Sequence, residues 1–203
     1  MYSYLLHKKI DMTIEQFLRS KNINGFHLDG GTDKDTEHSY CGLYQEFFDV
    51  WISELEPTNI LEIGTYKGGW AFTMHQLLPL SSIYTIDIED NFSKALASNM
   101  TRRFFPTVAD AYTEEAIKSF GDIKFDMIID DGPHTFESQK WTINNYMSLL
   151  HPSGLMIIED VRGEEVDLLL REVPSTHKAR VYDLRKYKGR WDDIIIAISR
   201  DLR

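Results

Sequence analysis

Asn59-Ile60-Leu61-Glu62-Ile63-Gly64-Thr65-Tyr66-Lys67-Gly68-Gly69-Trp70 is the segment from which the architecture can be worked out. Ile60 to Ile63 is a short apolar run and reads as a buried strand. Gly64 then supplies a turn, and Gly68-Gly69 open a helix. Strand, glycine turn and helix start in this order bring bare backbone and a helix N-terminus up to a nucleotide-like ligand. The spacing argues against one such ligand. A dinucleotide fingerprint needs Gly-x-Gly-x-x-Gly, whereas here Glu62 stands two before Gly64 and the next glycines are Gly68 and Gly69. A nicotinamide-linked oxidoreductase is therefore disfavoured.

Outward from this segment the chain alternates. Apolar runs predict strands at Ile60–Ile63, Ile83–Ile86, Thr107–Ala109, Phe125–Ile129 and Leu155–Ile158. Helical spacing predicts Gly69–Leu78, Ser93–Thr101, Thr113–Phe120 and Phe136–Leu150 between them, with another helix near Glu164–Glu172. Such alternation describes parallel βαβ units. The end differs: Ala179–Leu184 and Asp193–Ile198 read as successive strands across the polar stretch Arg185–Asp192, an antiparallel hairpin. Upstream, Thr13 caps a helix to Ser20, Gly25 to Thr36 reads as an irregular loop, and Leu43 to Leu55 is amphipathic. The expected division is a helical and loop segment over residues 1–55, serving as a lid on cofactor or substrate, and a core over 56–203, together one compact domain.

At 203 residues the chain is long enough for a sheet covered on both faces. Its 32 acids against 22 bases leave −10, which argues against a partner bound through nucleic-acid phosphates. No apolar run approaches a membrane span, and Met1 to Ile10 is broken by His7, Lys8 and Lys9, unlike a secretory leader. The lone Cys41 cannot form an internal disulfide, which fits a reducing cytoplasm, and nothing near it suggests an activated thiol. Association into a homo-oligomer is left open.

In open α/β sheets ligands bind beyond the carboxyl ends of the strands, so the residues standing there are the candidates. Glu62, Gly64, Thr65 and Gly68 follow the first strand. Asp87 ends the second, 23 positions after Gly64, where a carboxylate can accept two ribose hydroxyls; Glu89 is the register alternative. Asp110 ends the third and is a candidate for an adenine amino group. The fourth ends in Asp130-Asp131-Gly132-Pro133-His134, and the fifth in Glu159-Asp160. Neighbouring strands lie about 4.8 Å apart, so these tips share a pocket. Packed carboxylates repel unless protonated, paired or bound to a cation. An all-oxygen set without cysteine points to Mg²⁺, Mn²⁺ or Ca²⁺. The competing reading makes these acids helix caps. His134, three residues after Asp131, is a candidate general base because its unperturbed pKa is about 6.5.

Ile128-Ile129-Asp130-Asp131-Gly132-Pro133-His134-Thr135 and Ile157-Ile158-Glu159-Asp160-Val161 resemble the paired signatures of sugar O-methyltransferases acting on macrolides and related natural products. The wider group includes cephalosporin-hydroxylase-type proteins. Gly31-Thr32-Asp33-Lys34 with His38-Ser39-Tyr40 and Tyr44 is similar to the lead-in of the same group, so the likeness runs from about Gly30 to Val161. Pro133 stands where that group has serine, which removes a donor and leaves the ligand types intact. The resemblance implies a class I S-adenosyl-L-methionine-dependent methyltransferase: a Rossmann-like α/β fold, its seven-stranded, mostly parallel sheet closed by an antiparallel strand, with helices on both faces. It implies cofactor contacts from Glu62, Gly64, Thr65, Gly68, Asp87, Asp110 and Asp130, with His38, Tyr40 and Tyr44 closing over the cofactor. It implies Mg²⁺ on Asp131, Glu159 and Asp160, His134 as base beside Asp131, and a small-molecule hydroxyl as acceptor. The alternative is a non-catalytic binding module on the same fold.

Overall fold

The computed structural model of the protein describes residues 12–52 and 56–202. The reading of the first ten residues and the end of the helix expected over Leu43–Leu55 fall outside them. Two helices lead, α1 (Ile14–Ser20) and α2 (Cys41–Trp51). Then β1 (Thr58–Ile63), α3 (Gly69–Leu77), β2 (Ser81–Asp87), α4 (Lys94–Ala97) and β3 (Phe104–Val108) build the first half. The second half is α5 (Glu114–Ser119), β4 (Phe125–Asp130), α6 (Phe136–Asn145) and β5 (Leu150–Ile158), followed by α7 (Val166–Glu172), β6 (Lys178–Asp183), α8 (Arg185–Lys188) and β7 (Ile194–Ser199).

The strands form one sheet of order β3-β2-β1-β4-β5-β7-β6. β7 inserts antiparallel beside β5, with Ile157 opposite Ala197, and pairs antiparallel with β6 on its other side. The remaining pairings are parallel. This is the sheet expected from the closing pair of strands.

Side-chain alternation along each strand divides the core in two. Ile60, Ile83, Met127, Leu155 and Ile195 face one layer, built by α1, α2 and α3 through Ile14, Leu18, Phe47, Trp70 and Met74. Leu61, Ile86, Ile128, Met156 and Ile196 face the other, covered from α5, α6 and α7 by Ala116, Ile143 and Leu169. Because both faces are buried, β1 after Thr58 and Asn59 reads as an apolar run interrupted by a single acid, Glu62.

Helix starts follow capping chemistry. The Thr13 side chain accepts from the Gln16 amide and Thr135 from the Ser138 amide, each within a reciprocal capping box. The helix expected over Ser93–Thr101 is reduced to the one turn α4. There Ser98 and Asn99 turn their side chains back onto the Ala95 carbonyl, a local bond that competes with helix continuation. The helix expected to reach Leu150 stops at Asn145 and tightens into a 3₁₀ turn over Tyr146–Leu149, where the buried Tyr146 hydroxyl holds the Ala111 carbonyl at 2.7 Å. Leu150 already pairs with Phe125, and the register then shifts before Met127 meets Leu155. Among the described residues no helix is long and apolar enough to cross a membrane.

Candidate active site

Strand order reverses at β1, whose neighbours β2 and β4 lead off in opposite directions, and a crevice opens beyond their carboxyl ends. It holds a cavity of about 470 Å³. Glu62, Thr65, Asp87 and Asp110 line it on one side, and Asp131, His134 and Asp160 on the other. Two backbone bonds stitch its floor, Gly64 N–H to the Ile86 carbonyl and Asp131 N–H to the Ile63 carbonyl, both at 2.9 Å. Gly64 has φ of +85°, and a Cβ there would lie 2.0 Å from the Asp131 backbone oxygen. Only glycine lets the two turns approach this closely. Gly68, also at positive φ, caps α3 and packs against the Phe92 ring; it does not line the cavity.

On the first side, Glu62 is fully buried and its Oε2 has no hydrogen-bond partner, a cost few native groups carry. Burial, and after it the charge of Asp131, pushes its carboxyl well above the usual range. The Thr65 hydroxyl is likewise without a partner. Asp87 accepts from the Tyr66 amide at 2.7 Å and the Glu89 amide at 3.0 Å. Asp110 accepts from the Tyr112 amide at 2.9 Å. Asp130 is buried and does not line the cavity; its Oδ1 accepts from the Tyr112 hydroxyl at 3.0 Å and the Gly132 amide at 3.2 Å, which shapes the turn carrying Asp131 and His134. Tyr112 is a partner that sequence alone did not single out.

On the other side, His134 Nε2 stands 3.5 Å from Asp160 Oδ2 and 4.0 Å from Asp131 Oδ1. One ligand atom from each of these three residues lies within 4.8 Å of the others. An ion with bonds of about 2.1 Å separates its ligands by roughly 3–4 Å, and the two separations from His134 are of that size. Three non-glycine residues of the cavity wall, Tyr66, His134 and Asp160, have φ of 48°, 52° and 53°. Left-handed backbone of this kind costs on the order of 1–3 kcal/mol each and gathers where geometry is functional.

His38, Tyr40 and Tyr44, expected over the cofactor, lie behind the acids, buried and outside the cavity wall. The Tyr40 hydroxyl donates to Asp160 Oδ1 at 2.6 Å, and the Tyr44 hydroxyl donates to Glu159 Oε1. Burial first, then these carboxylates, raises both phenols, so they remain protonated donors. His38 Nδ1 sits 3.3 Å from Asp160 Oδ1 and 3.3 Å from Asp193 Oδ1. Glu159 does not line the cavity. Its Oε2 meets the Lys34 ammonium at 2.5 Å, and the same ammonium donates to Asp131 Oδ2 at 2.8 Å. Burial alone would neutralise both partners. Asp131, Glu159 and Asp33 together outweigh it at Lys34 and hold that ammonium well above its ordinary value, whereas at Glu159 burial outweighs the opposing charge of Lys34 and keeps the carboxyl well above the usual range. Asp193 and Lys34 escaped prediction; only the Gly-Thr-Asp-Lys string hinted at Lys34. Cys41 is buried, and burial pushes its thiol up to about 12, consistent with inert packing.

Comparison with known proteins names the class. Residues 61–161 match the family model of a methyltransferase domain. The release factor glutamine methyltransferase of Flavobacterium psychrophilum is 30% identical over 111 residues, covering 54% of this chain and 38% of that protein. The 8-demethyl-8-alpha-L-rhamnosyl tetracenomycin-C 2'-O-methyltransferase of Streptomyces olivaceus is 24% identical over 145 residues, covering 68% and 37%. Among solved structures, MycE methyltransferase from the mycinamycin biosynthetic pathway, in complex with Mg, SAH and mycinamycin VI, superposes with a TM-score of 0.53 at 25% identity, over 62% of this chain and 35% of that one. This chain spans well under half the length of the two curated relatives. Its fold is that of the class I S-adenosylmethionine-dependent methyltransferases, residues 61–161 match their domain model, and the chain resembles the macrolide-sugar O-methyltransferase type.

Proposed function

We propose that the protein transfers the methyl group of S-adenosylmethionine to a hydroxyl of a small-molecule acceptor, sugar-bearing or natural-product-like, with a divalent cation at the acidic tip. One observation carries the reading: a single cavity is lined both by the acids that suit a nucleoside and by the acid–histidine cluster. The unpartnered Glu62 oxygen fits a cationic cofactor. It would accept from the amino group of the methionine part, while Gly64 leaves the backbone open beside it. Asp87 would take the ribose hydroxyls and Asp110 the adenine end. When bound, the cofactor would supply a methyl already activated on sulfur, and a divalent cation held by Asp131 and Asp160 would lower the pKa of the acceptor hydroxyl.

The chain's own task is alignment and proton removal. His134, partly exposed to the cavity, would accept the hydroxyl proton at Nε2 as the oxygen bonds to the methyl carbon and the carbon–sulfur bond breaks. Asp160 Oδ2 at 3.5 Å would stabilise the resulting imidazolium. Tyr40 and His38 fix Asp160 from behind.

The test is transfer of a labelled methyl to a panel of glycosylated aglycones and free sugars, with a glutamine-bearing peptide as control. Label in a sugar hydroxyl supports the proposal. Label on the peptide amide alone overturns the acceptor class, and S-adenosylhomocysteine binding without transfer to any acceptor favours the binding-module alternative.

A further inference from the structure

Between β6 and β7 the chain reverses its overall sign. Arg185, Lys186, Lys188 and Arg190 put four cations into six positions without an acid, in a protein of net charge −10. Tyr187 and Trp191 stand among them, 64% and 59% exposed. β7 runs antiparallel to both β5 and β6, so the end of β6, the start of β7 and the end of β5 share the edge of the sheet at which the cavity opens. The Val161 amide there donates to the Ile194 carbonyl at 3.1 Å. Lys188 is spent inward: its Nζ donates to the carbonyls of Asp35 and His38, on the loop that follows Asp33 of the cavity wall. The basic lobe therefore flanks the half of the cavity that holds Asp131, His134 and Asp160.

The other three cations line a second depression, together with Asp183, Gly189 and Trp191. Arg185 gives Nε and Nη2 to Asp183, at 2.9 and 2.6 Å, and Arg190 gives the same two atoms to Asp192, at 2.7 and 3.3 Å. A guanidinium carries five donors, so Arg185 keeps its Nη1, which lies beside Gly163. Lys186 is exposed and forms no ion pair among the described residues; its ammonium sits 4.9 Å from the Tyr187 ring centroid. Arg162, two positions beyond Asp160, lies across the depression with its guanidinium 5.4 Å from the Trp191 ring centroid, and its buried Nε has no partner. Cationic donors without a carboxylate thus gather from two separate loops around one exposed indole.

We infer that this lobe is an anion subsite for the acceptor: a phosphate carried by the molecule to be methylated lies among Arg162, Arg185 and Lys186, and Trp191 offers its face to the ring beside that phosphate. Arginine forks match phosphate oxygens, and an indole face takes a sugar or base ring without demanding a hydrogen bond. The inference rests on the proposed transfer to a small-molecule hydroxyl and narrows its acceptor to a phosphorylated sugar or a nucleotide-linked one, which share this chemistry. A polynucleotide fits less well. Two of the lobe's four cations are already paired with acids and a third is spent on carbonyls, too few to follow a phosphate backbone across an otherwise acidic surface.

Calorimetric titration of the full chain with inorganic pyrophosphate and with uridine diphosphate, S-adenosylhomocysteine being present, reads the subsite without turnover. Pyrophosphate should bind, more weakly as salt is raised. Lys186→Glu, which reverses an exposed charge, should weaken it by about tenfold, and Arg162→Met by about threefold or more, with S-adenosylhomocysteine still bound in both. If Arg162→Met does not fold, Lys186→Glu decides alone. Tighter binding of uridine diphosphate that Trp191→Ala removes assigns a nucleotide-linked sugar, and equal binding of the two probes assigns a simple sugar phosphate. In transfer assays a sugar phosphate should show a lower KM than the same sugar without phosphate, and Lys186→Glu should remove the difference. Pyrophosphate that does not bind, or that binds wild type and Lys186→Glu alike, overturns the inference and leaves transfer to a neutral hydroxyl standing. A short single-stranded oligonucleotide that binds where pyrophosphate does not overturns it in favour of nucleic acid. Pyrophosphate bound at the lobe with no acceptor methylated overturns the proposed transfer, and the acceptor assignment with it, while the anion site itself stands.

Discussion

Replacing Asp87 separates the two roles open to an acid at the end of β2. Both its oxygens accept a backbone bond, one from the Tyr66 amide at 2.7 Å and the other from the Glu89 amide at 3.0 Å. The first of these holds Tyr66 at φ of 48°, so Asp87 already restrains a strained turn. A carboxylate oxygen can accept a second hydrogen bond, and that capacity is what the ribose hydroxyls would use. Asp87→Ala removes both functions. Hydrogen bonds to a charged acceptor are worth about 1.5–3 kcal/mol, so S-adenosylhomocysteine should bind roughly 10- to 150-fold more weakly. The amide bonds are exposed and count for less, about 1 kcal/mol at most, or a fall in Tm of up to roughly 2–4 °C at this chain size. Asp87→Asn keeps an acceptor for Tyr66 and should restore most of the Tm but only part of the affinity. Isothermal calorimetry and differential scanning calorimetry read the two effects independently. If Asp87→Ala lowers Tm while Kd stays within twofold of wild type, Asp87 is a strand terminator and the nucleoside assignment passes to Glu89.

Two further perturbations probe the neighbouring wall. Burial, followed by the Asp131 charge, raises the Glu62 carboxyl in the fold well above its unfolded value, so the folded state binds the proton more tightly. Stability of the ligand-free protein should therefore fall as pH rises from about 4.3, the ordinary glutamate value, through the raised one. A cationic cofactor favours the carboxylate, so its binding should release a proton and tighten over the same window. Calorimetry in buffers of different ionisation enthalpy checks this, and proton release that persists in Glu62→Gln assigns it elsewhere. Gly64→Ala forces a left-handed alanine, at about 1–2 kcal/mol, and sets its Cβ 2.0 Å from the Asp131 backbone oxygen. The β1 and β4 turns must part, so thermal melts should show a lowered Tm and cofactor binding should drop sharply; a variant with wild-type affinity refutes the close approach.

The fold was legible because its determinants are local. Short apolar runs, the Thr13 cap and the glycine turn each occupy a few residues, and the hairpin Lys178–Ser199 announces itself by placing two strands around one polar stretch. Where local signals competed, the reading overshot. Residues 93–101 have helical spacing, but Ser98 and Asn99 offer the Ala95 carbonyl a better local partner than the next turn. The bulge between Phe125 and Met127 could not be read at all, because it depends on which residues of the neighbouring strand must share the core.

The placement of the candidate residues was legible to the same depth. A topological rule sends whatever ends β1, β2, β4 and β5 to one crevice, so Glu62, Asp87, Asp131 and Asp160 could be assembled from strand ends alone. The rule does not say which way a side chain turns once it arrives. Glu159 and Asp160 are adjacent, and consecutive residues leaving a strand point to opposite sides. Asp160 reaches the cavity, and Glu159 faces the layer where Lys34 and Tyr44 wait. Those partners lie 125 and 115 positions upstream, on a loop and helix whose docking is set by Phe47, Trp70 and their neighbours. A buried ammonium is therefore invisible to any reading of spacing.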